Sequence, residues 1–203
     1  MAQPLGIDSG AGCNVTACAE RLRWILAEPV DYVHAERLHI PTGFEGPDAR
    51  RALNQIVLDG LELQGPWPAV PLTAVAHLWI RQWHQLPYIA SLLGAWRLFP
   101  HLARGGALQQ LPLSLCRFAS YRVGARACLP VDLASQPMQQ VEAAGFNSLC
   151  GWSEYIPTLL LERLSLQFSP RVVDLHRQWP VAEPDKALFF LAVQHARLHP
   201  NPD

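Results

Sequence analysis

Apolar positions recur along this chain at helical spacing, and proline punctuates them. Leu22, Ile25 and Leu26 fall on one side of a segment over Ala17–Ala27, which Thr16 can cap and Pro29 ends. Gly46-Pro47-Asp48 starts a second helix, because proline in the first turn loses no hydrogen bond and an acid there suits the helix dipole. Ala52, Leu53, Ile56, Val57 and Leu61 follow as its inner positions. After the stiff connector "GPWPAVP", Leu72, Val75, Ala76, Trp79, Ile80 and Trp83 form an apolar stripe on a helix over 72–85, with Arg81 on the opposite side. Pro87 opens a helix over 88–99, Pro100 ends or bends it, and Gly105-Gly106 closes the unit.

The same punctuation continues downstream. Pro112 starts a helix reaching Tyr121, and Val123–Pro137 is loop-like. Val141 and Leu149 are inner positions of a helix set up by Ser135 and Pro137. Pro157 opens Thr158–Leu166, Ser169-Pro170 opens Arg171–Gln178, and Pro184-Asp185 opens a last helix carrying Leu188, Leu191, Ala192 and His195. No stretch alternates with period two, and no repeat or heptad run occurs. The pattern predicts an all-α fold, a single irregular bundle of roughly seven to nine short helices over 16–203. A disordered tail is expected over 1–15, where the residues are small, polar and glycine-rich.

Composition changes this picture in one respect. Half of the 203 residues are hydrophobic but only 16 % are charged, against about 25 % in an average soluble protein. A surface with so little charge leaves apolar area exposed, which marks interaction sites. The net charge of −1 gives no basic footprint for nucleic acid. Of 16 basic residues Lys186 is the only lysine, and arginine favours planar, bidentate interface contacts. The uncharged run Gln85–Trp96 is far shorter than the ~20 residues of a membrane span, and Arg81 and Arg97 bracket it. No secretory leader pattern opens the chain.

Candidate chemistry is sparse. Five cysteines at wide spacing (Cys13, Cys18, Cys116, Cys128, Cys150) form no disulfide framework and fit free thiols in a reducing compartment. Cys13 and Cys18 have no second pair at zinc-finger spacing, and His195 and His199 lack the glutamate of a metalloprotease helix. No phosphate-binding loop, dinucleotide fingerprint or nucleophile elbow is present. The expectation is therefore no catalytic residue, no metal ligand and no cofactor. Trp79, Trp83, Leu92 and Leu93 are the expected structural core, and Arg81, Arg97 and Arg104 the expected partner contacts. The competing reading is a cysteine- or metal-dependent enzyme, separable by metal analysis and thiol reactivity.

Four segments carry a resemblance: "EPVDYVHAERLHI", "LWIRQWHQLPYIASLLGAWRL", "HLARGGALQQLP" and "AVQHARLHPN", in that order between Glu28 and Asn201. Their long central pattern, L-W-x-R-Q-W-x-x-L-P followed by L-L-G and L-A-R-x-G-A-L, resembles the OrgA/MxiK (SctK) family of type III secretion proteins. The resemblance implies a non-enzymatic adaptor of the injectisome's cytoplasmic sorting platform, needed for platform assembly and effector secretion. It implies two partners: the pod protein of the SctQ/SpaO type, and the cytoplasmic domain of the inner-membrane ring protein of the SctD/PrgH type. The ATPase stator protein of the SctL/OrgB type would be reached indirectly. The alternative within the same machinery is a secretion chaperone that binds export substrates, separable by pull-down of those substrates. The implied location is cytoplasmic, peripheral at the inner membrane through the injectisome, with no direct membrane insertion and no nucleic-acid partner.

Overall fold

The computed structural model describes residues 10–44, 46–63, 71–104, 106–124, 126 and 136–200, with 10–15 as backbone only. Among them the chain is all-α. Its helices are α1 (Gly10–Ala27), α2 (Pro47–Gly60), α3 (Ala74–Arg81), α4 (Leu86–Arg104), α5 (Leu113–Ala119), α6 (Pro137–Cys150), α7 (Thr158–Leu164), α8 (Pro170–His176) and α9 (Lys186–Leu198). Short 3₁₀ turns fill several junctions, notably Pro29–Asp31 and Trp83–Gln85.

Helix starts follow the expected chemistry. The Thr73 hydroxyl accepts the Ala76 amide at 3.0 Å, Ser169 accepts Val172 N at 3.3 Å, and the Asp185 carboxylate accepts Leu188 N at 2.9 Å. Pro47, Pro137 and Pro170 occupy first turns. Thr73 also donates to the Tyr155 carbonyl at 2.8 Å, which ties α3 to the turn after α6.

The centre of the molecule is α4. Every residue from Ile89 to Leu98 is buried, as befits a helix packed on all sides. It packs chiefly on α6 and also on α5 and α9, while α6 carries α8 on another side and α1 packs on α3. Close approach of α4 and α6 depends on two glycines. A Cβ on Gly94 would lie 1.8 Å from the Val141 carbonyl oxygen, and one on Gly145 would lie 1.8 Å from that of Ala90. Backbone thus meets backbone without intervening side chains.

Trp79, Trp83 and Leu92 are fully buried, and Leu93 nearly so. Trp79 stacks at a tilt on Phe189 of α9, and Trp83 meets Tyr32 edge-on. The buried side chains form one contiguous cluster.

Several expectations need correction. The first helix begins at Gly10, ahead of the expected cap at Thr16, so part of the expected 1–15 tail is helical; residues 1–9 lie outside the described residues. Pro100 does not end α4, which continues to Arg104. Proline there removes one late-turn bond, and the buried helix tolerates it. All but Pro71 of the connector 65–71 and most of the loop-like 123–137 segment also lie outside the described residues. On α2 the expected inner face is largely outside: Ile56 and Leu61 are 65 % and 51 % exposed, and only Asn54 and Val57 are buried.

Candidate functional site

The three arginines expected to contact partners fall in two different environments. Arg81, in the last turn of α3, and Arg104, in the last turn of α4, are exposed. Arg97 is not: only 7 % of it is accessible. Its Nη1 donates to the Ala144 carbonyl at 3.0 Å, to Asn147 Oδ1 at 2.9 Å and to Ser148 Oγ at 3.0 Å, all on α6. Helical periodicity does not reveal this, because the neighbouring positions of α4 are buried around its whole circumference.

Arg97 and Asn147 organise the chain beyond α8. Asn147 Oδ1 also accepts the Ala182 amide at 3.2 Å, and its Nδ2 donates to the Pro180 carbonyl at 3.2 Å. Gly151 lies so close that a Cβ there would be 2.0 Å from the Ala182 oxygen. These contacts hold the segment 180–185 against the end of α6 as a strap. Between strap, α4, α6 and the start of α9 lies a cleft of about 770 Å³. Leu93, Trp96, Trp152 and Phe189 give it apolar walls, and Arg97 lines it. Glu183, Asp185 and Lys186 stand at its rim and are exposed.

Among the described residues no acid forms an ion pair with Arg97. The ion pairs among the described residues join Arg50 to Asp31, Arg51 to Asp48 and Arg177 to Asp174. Burial alone lowers the Arg97 pKa, yet arginine remains protonated in proteins. The chain therefore keeps a buried cation whose bonded acceptors are neutral, an arrangement that costs several kcal/mol by itself.

A second, shallower surface mixes basic, acidic and aromatic side chains. Trp24, Arg21, Asp31, Arg50 and His84 line a shallow depression of about 720 Å³ between α1 and α2. The Trp24 indole donates to Asp31 at 2.8 Å, and Arg50 pairs with the same carboxylate. Burial, then the Arg21 charge, pushes the His84 imidazole below its ordinary value.

The cysteine and histidine candidates resolve differently. Cys18 Sγ lies 3.0 Å from His77 Nδ1, a pairing that spacing along the chain gives no sign of. Burial raises this thiol although Arg81 counters it, so it is a neutral hydrogen-bonding group rather than a thiolate. Cys116 donates to the Leu108 carbonyl at 3.2 Å, and burial pushes the Cys150 thiol up to about 12. His195 is buried, edge-on to Phe118, with its ring 4.6 Å from that of His199. Burial, and next the His199 charge, lower its pKa. Among the described residues no group of three or more histidines, cysteines and acids could hold a metal. Nor is any helix long and apolar enough to cross a membrane.

Among the described residues, exposed large apolar side chains fall in three stretches of the chain. Phe44, Ile56 and Leu61 belong to α2 and the residues on either side of it, Leu113 and Tyr121 to α5 and the residues after it, and Val181, Phe190 and Leu198 to the strap and α9. Leu198 is 76 % exposed. Interaction surfaces, not a reaction centre, are what these residues can build.

No solved structure matches the chain significantly. The Oxygen-regulated invasion protein OrgA of Salmonella typhimurium, in strains 14028s, SL1344 and LT2, is 32 % identical over 178 residues, covering 87 % of this chain and 87 % of each relative. The family model described as bacterial type III secretion apparatus protein (OrgA_MxiK) matches residues 22–198, from the buried Leu22 of α1 to the exposed Leu198 of α9. By both measures the chain belongs to the OrgA/MxiK family of bacterial type III secretion apparatus proteins.

Proposed function

We propose that this apparatus protein is a non-enzymatic adaptor of the sorting platform. It joins the pod protein of the SctQ/SpaO type to the cytoplasmic domain of the ring protein of the SctD/PrgH type, and reaches the SctL/OrgB-type stator only indirectly. It works in the cytoplasm, at the inner membrane through those partners. The observation that carries the reading is the division of exposed apolar side chains between α2 with the residue after it (Ile56, Leu61) and the stretch from α5 to α9 (Leu113, Val181, Phe190, Leu198). An adaptor needs two such surfaces, each burying about 800 Å² or less if subunits exchange. Arg81 and Arg104, exposed at helix ends, supply polar contacts at the rims.

A photocrosslinker placed singly at Ile56, Arg81, Arg104, Leu113 and Leu198 in the assembled apparatus tests this. The adaptor reading expects the pod protein from one set of positions and the ring protein from another. Crosslinks to exported substrates alone would replace the adaptor with a chaperone. Arg81→Glu is expected to change stability by no more than about 0.5 kcal/mol while weakening one of the two associations.

A further inference from the structure

We propose that the cleft between α4, α6, the strap 180–185 and α9 is a receptor for a carboxylate side chain set among apolar residues on a peptide segment of a partner subunit. The inference rests on the adaptor reading only in taking a partner chain as the source of that segment.

Charge complementarity chooses the occupant. Arg97 is 93 % buried by its 7 % accessibility, yet it lines an open cleft and meets no acid within ion-pair distance among the described residues. All of its hydrogen bonds leave from Nη1, to Ala144, Asn147 and Ser148. Nε and Nη2 bond none of the described residues, and neither is enclosed without a partner as the Nε atoms of Arg21 and Arg163 are. Those two N–H groups are the fork edge that binds a carboxylate through two parallel bonds. The other buried arginine, Arg163, differs: it donates to the Leu63 and Leu159 carbonyls and feels the charges of Tyr32 and Glu162.

The surroundings hold Arg97 ready for such a ligand. Three acceptors on α6 fix the guanidinium, so little side-chain freedom remains to be lost on binding. Leu93, Trp96, Trp152 and Phe189 form the apolar walls that neighbouring ligand residues would cover. The Trp96 indole N–H is already used by the Tyr121 carbonyl at 3.0 Å, and the Arg126 guanidinium lies over the same ring, 5.2 Å from its centroid, a second positive charge near this wall. The rim acids Glu183 and Asp185 are exposed and screened by water, and Asp185 is engaged in capping α9. Lys186 at the same rim, with its ammonium 5.3 Å from the Tyr155 ring centroid, favours an anion.

The test uses the full-length ¹⁵N-labelled chain and two peptides, Ac-Leu-Glu-Leu-NH₂ and its isosteric counterpart Ac-Leu-Gln-Leu-NH₂. The readout is the Arg97 Nε–H resonance together with the Trp96 and Trp152 indole resonances. The acidic peptide is expected to shift all three and to bind at least tenfold more tightly. Equal binding of the two peptides, or no shift at Arg97, overturns the proposal. A concentration-dependent shift without peptide assigns the cleft to a second copy of the chain and also overturns it. Arg97→Met, with its fold confirmed by the remaining indole spectrum, is expected to lose the preference for the acid; if that variant does not fold, the peptide comparison on the natural sequence still decides. Acidic-peptide binding without any pod or ring crosslink would leave the cleft standing and remove the adaptor, and crosslinks without acidic-peptide preference would do the reverse.

Discussion

Gly145 packs its α-carbon directly on the Ala90 carbonyl, where a methyl group would sit 1.8 Å from the oxygen. Gly94 makes the reciprocal approach to Val141. Gly→Ala in an exposed helix interior stabilises by about 1 kcal/mol. Here the sign is expected to reverse. Gly145→Ala must push α6 away from α4 along the largest helix contact of the fold, at a cost of about 3 kcal/mol. Thermal unfolding should show a Tm lower by about 10 °C, and Gly94→Ala should behave likewise. A Tm that rises would mean the two helices are not in backbone contact.

Asn147→Ala separates the strap from the helix pair. The substitution removes the acceptor shared by Arg97 and the Ala182 amide and the donor to Pro180. Leaving buried polar groups without partners costs about 1–3 kcal/mol, so a destabilisation near the upper end is expected. Amide exchange should accelerate most at Ala182, whose N–H loses its acceptor, with much less change at α1 and α3. Uniform acceleration across the fold would instead make Asn147 a global core residue.

Trp79 gives a test of what its indole contributes. The ring is fully buried against Phe189, but its N–H has no hydrogen-bond partner among the described residues. Trp79→Ala is expected to cost about 3–5 kcal/mol through lost burial and a cavity. Trp79→Phe keeps most of the apolar ring and removes a donor that bonds nothing, so it should cost less than about 2 kcal/mol. Chemical denaturation of both variants checks the ordering. Equal losses would show that the indole N–H is satisfied in solution.

These residues also mark how far the amino-acid order alone reveals the fold. Helix starts at Pro47, Thr158 and Lys186 are legible because proline and capping oxygens act on the next turn of chain. The Trp79–Trp83 stripe is legible because one side of α3 and of the 3₁₀ turn after it faces the core while Arg81 faces water. Periodicity fails where that asymmetry disappears. On α4 all sides are buried, so Arg97 cannot be told from a surface arginine, and in and just after α2 Ile56 and Leu61 keep an apolar pattern although more than half of each is exposed. The Cys18–His77 contact and the cleft beside the strap join residues far apart in the chain, and no local signal reports them.

Glu142 predicts a dependence on pH. It lies on α6 beside a small cavity that His34, Tyr88 and Ser169 also line. Burial, and next the Glu36 charge, raise its carboxyl above the ordinary value. The folded state then holds this proton more tightly than the unfolded chain does. Its contribution is neutral well below the unfolded value of about 4.3. It turns destabilising as pH rises from there through the raised folded value, and stays so at pH 7. Glu142→Gln removes the charge that burial penalises and keeps the shape. Its Tm at pH 7 is expected to exceed that of the natural sequence by about 2 °C or more, with the advantage shrinking as the pH is lowered toward 4. A Gln variant that is less stable at pH 7 would mean that the ionised carboxylate is stabilised by a partner within the fold.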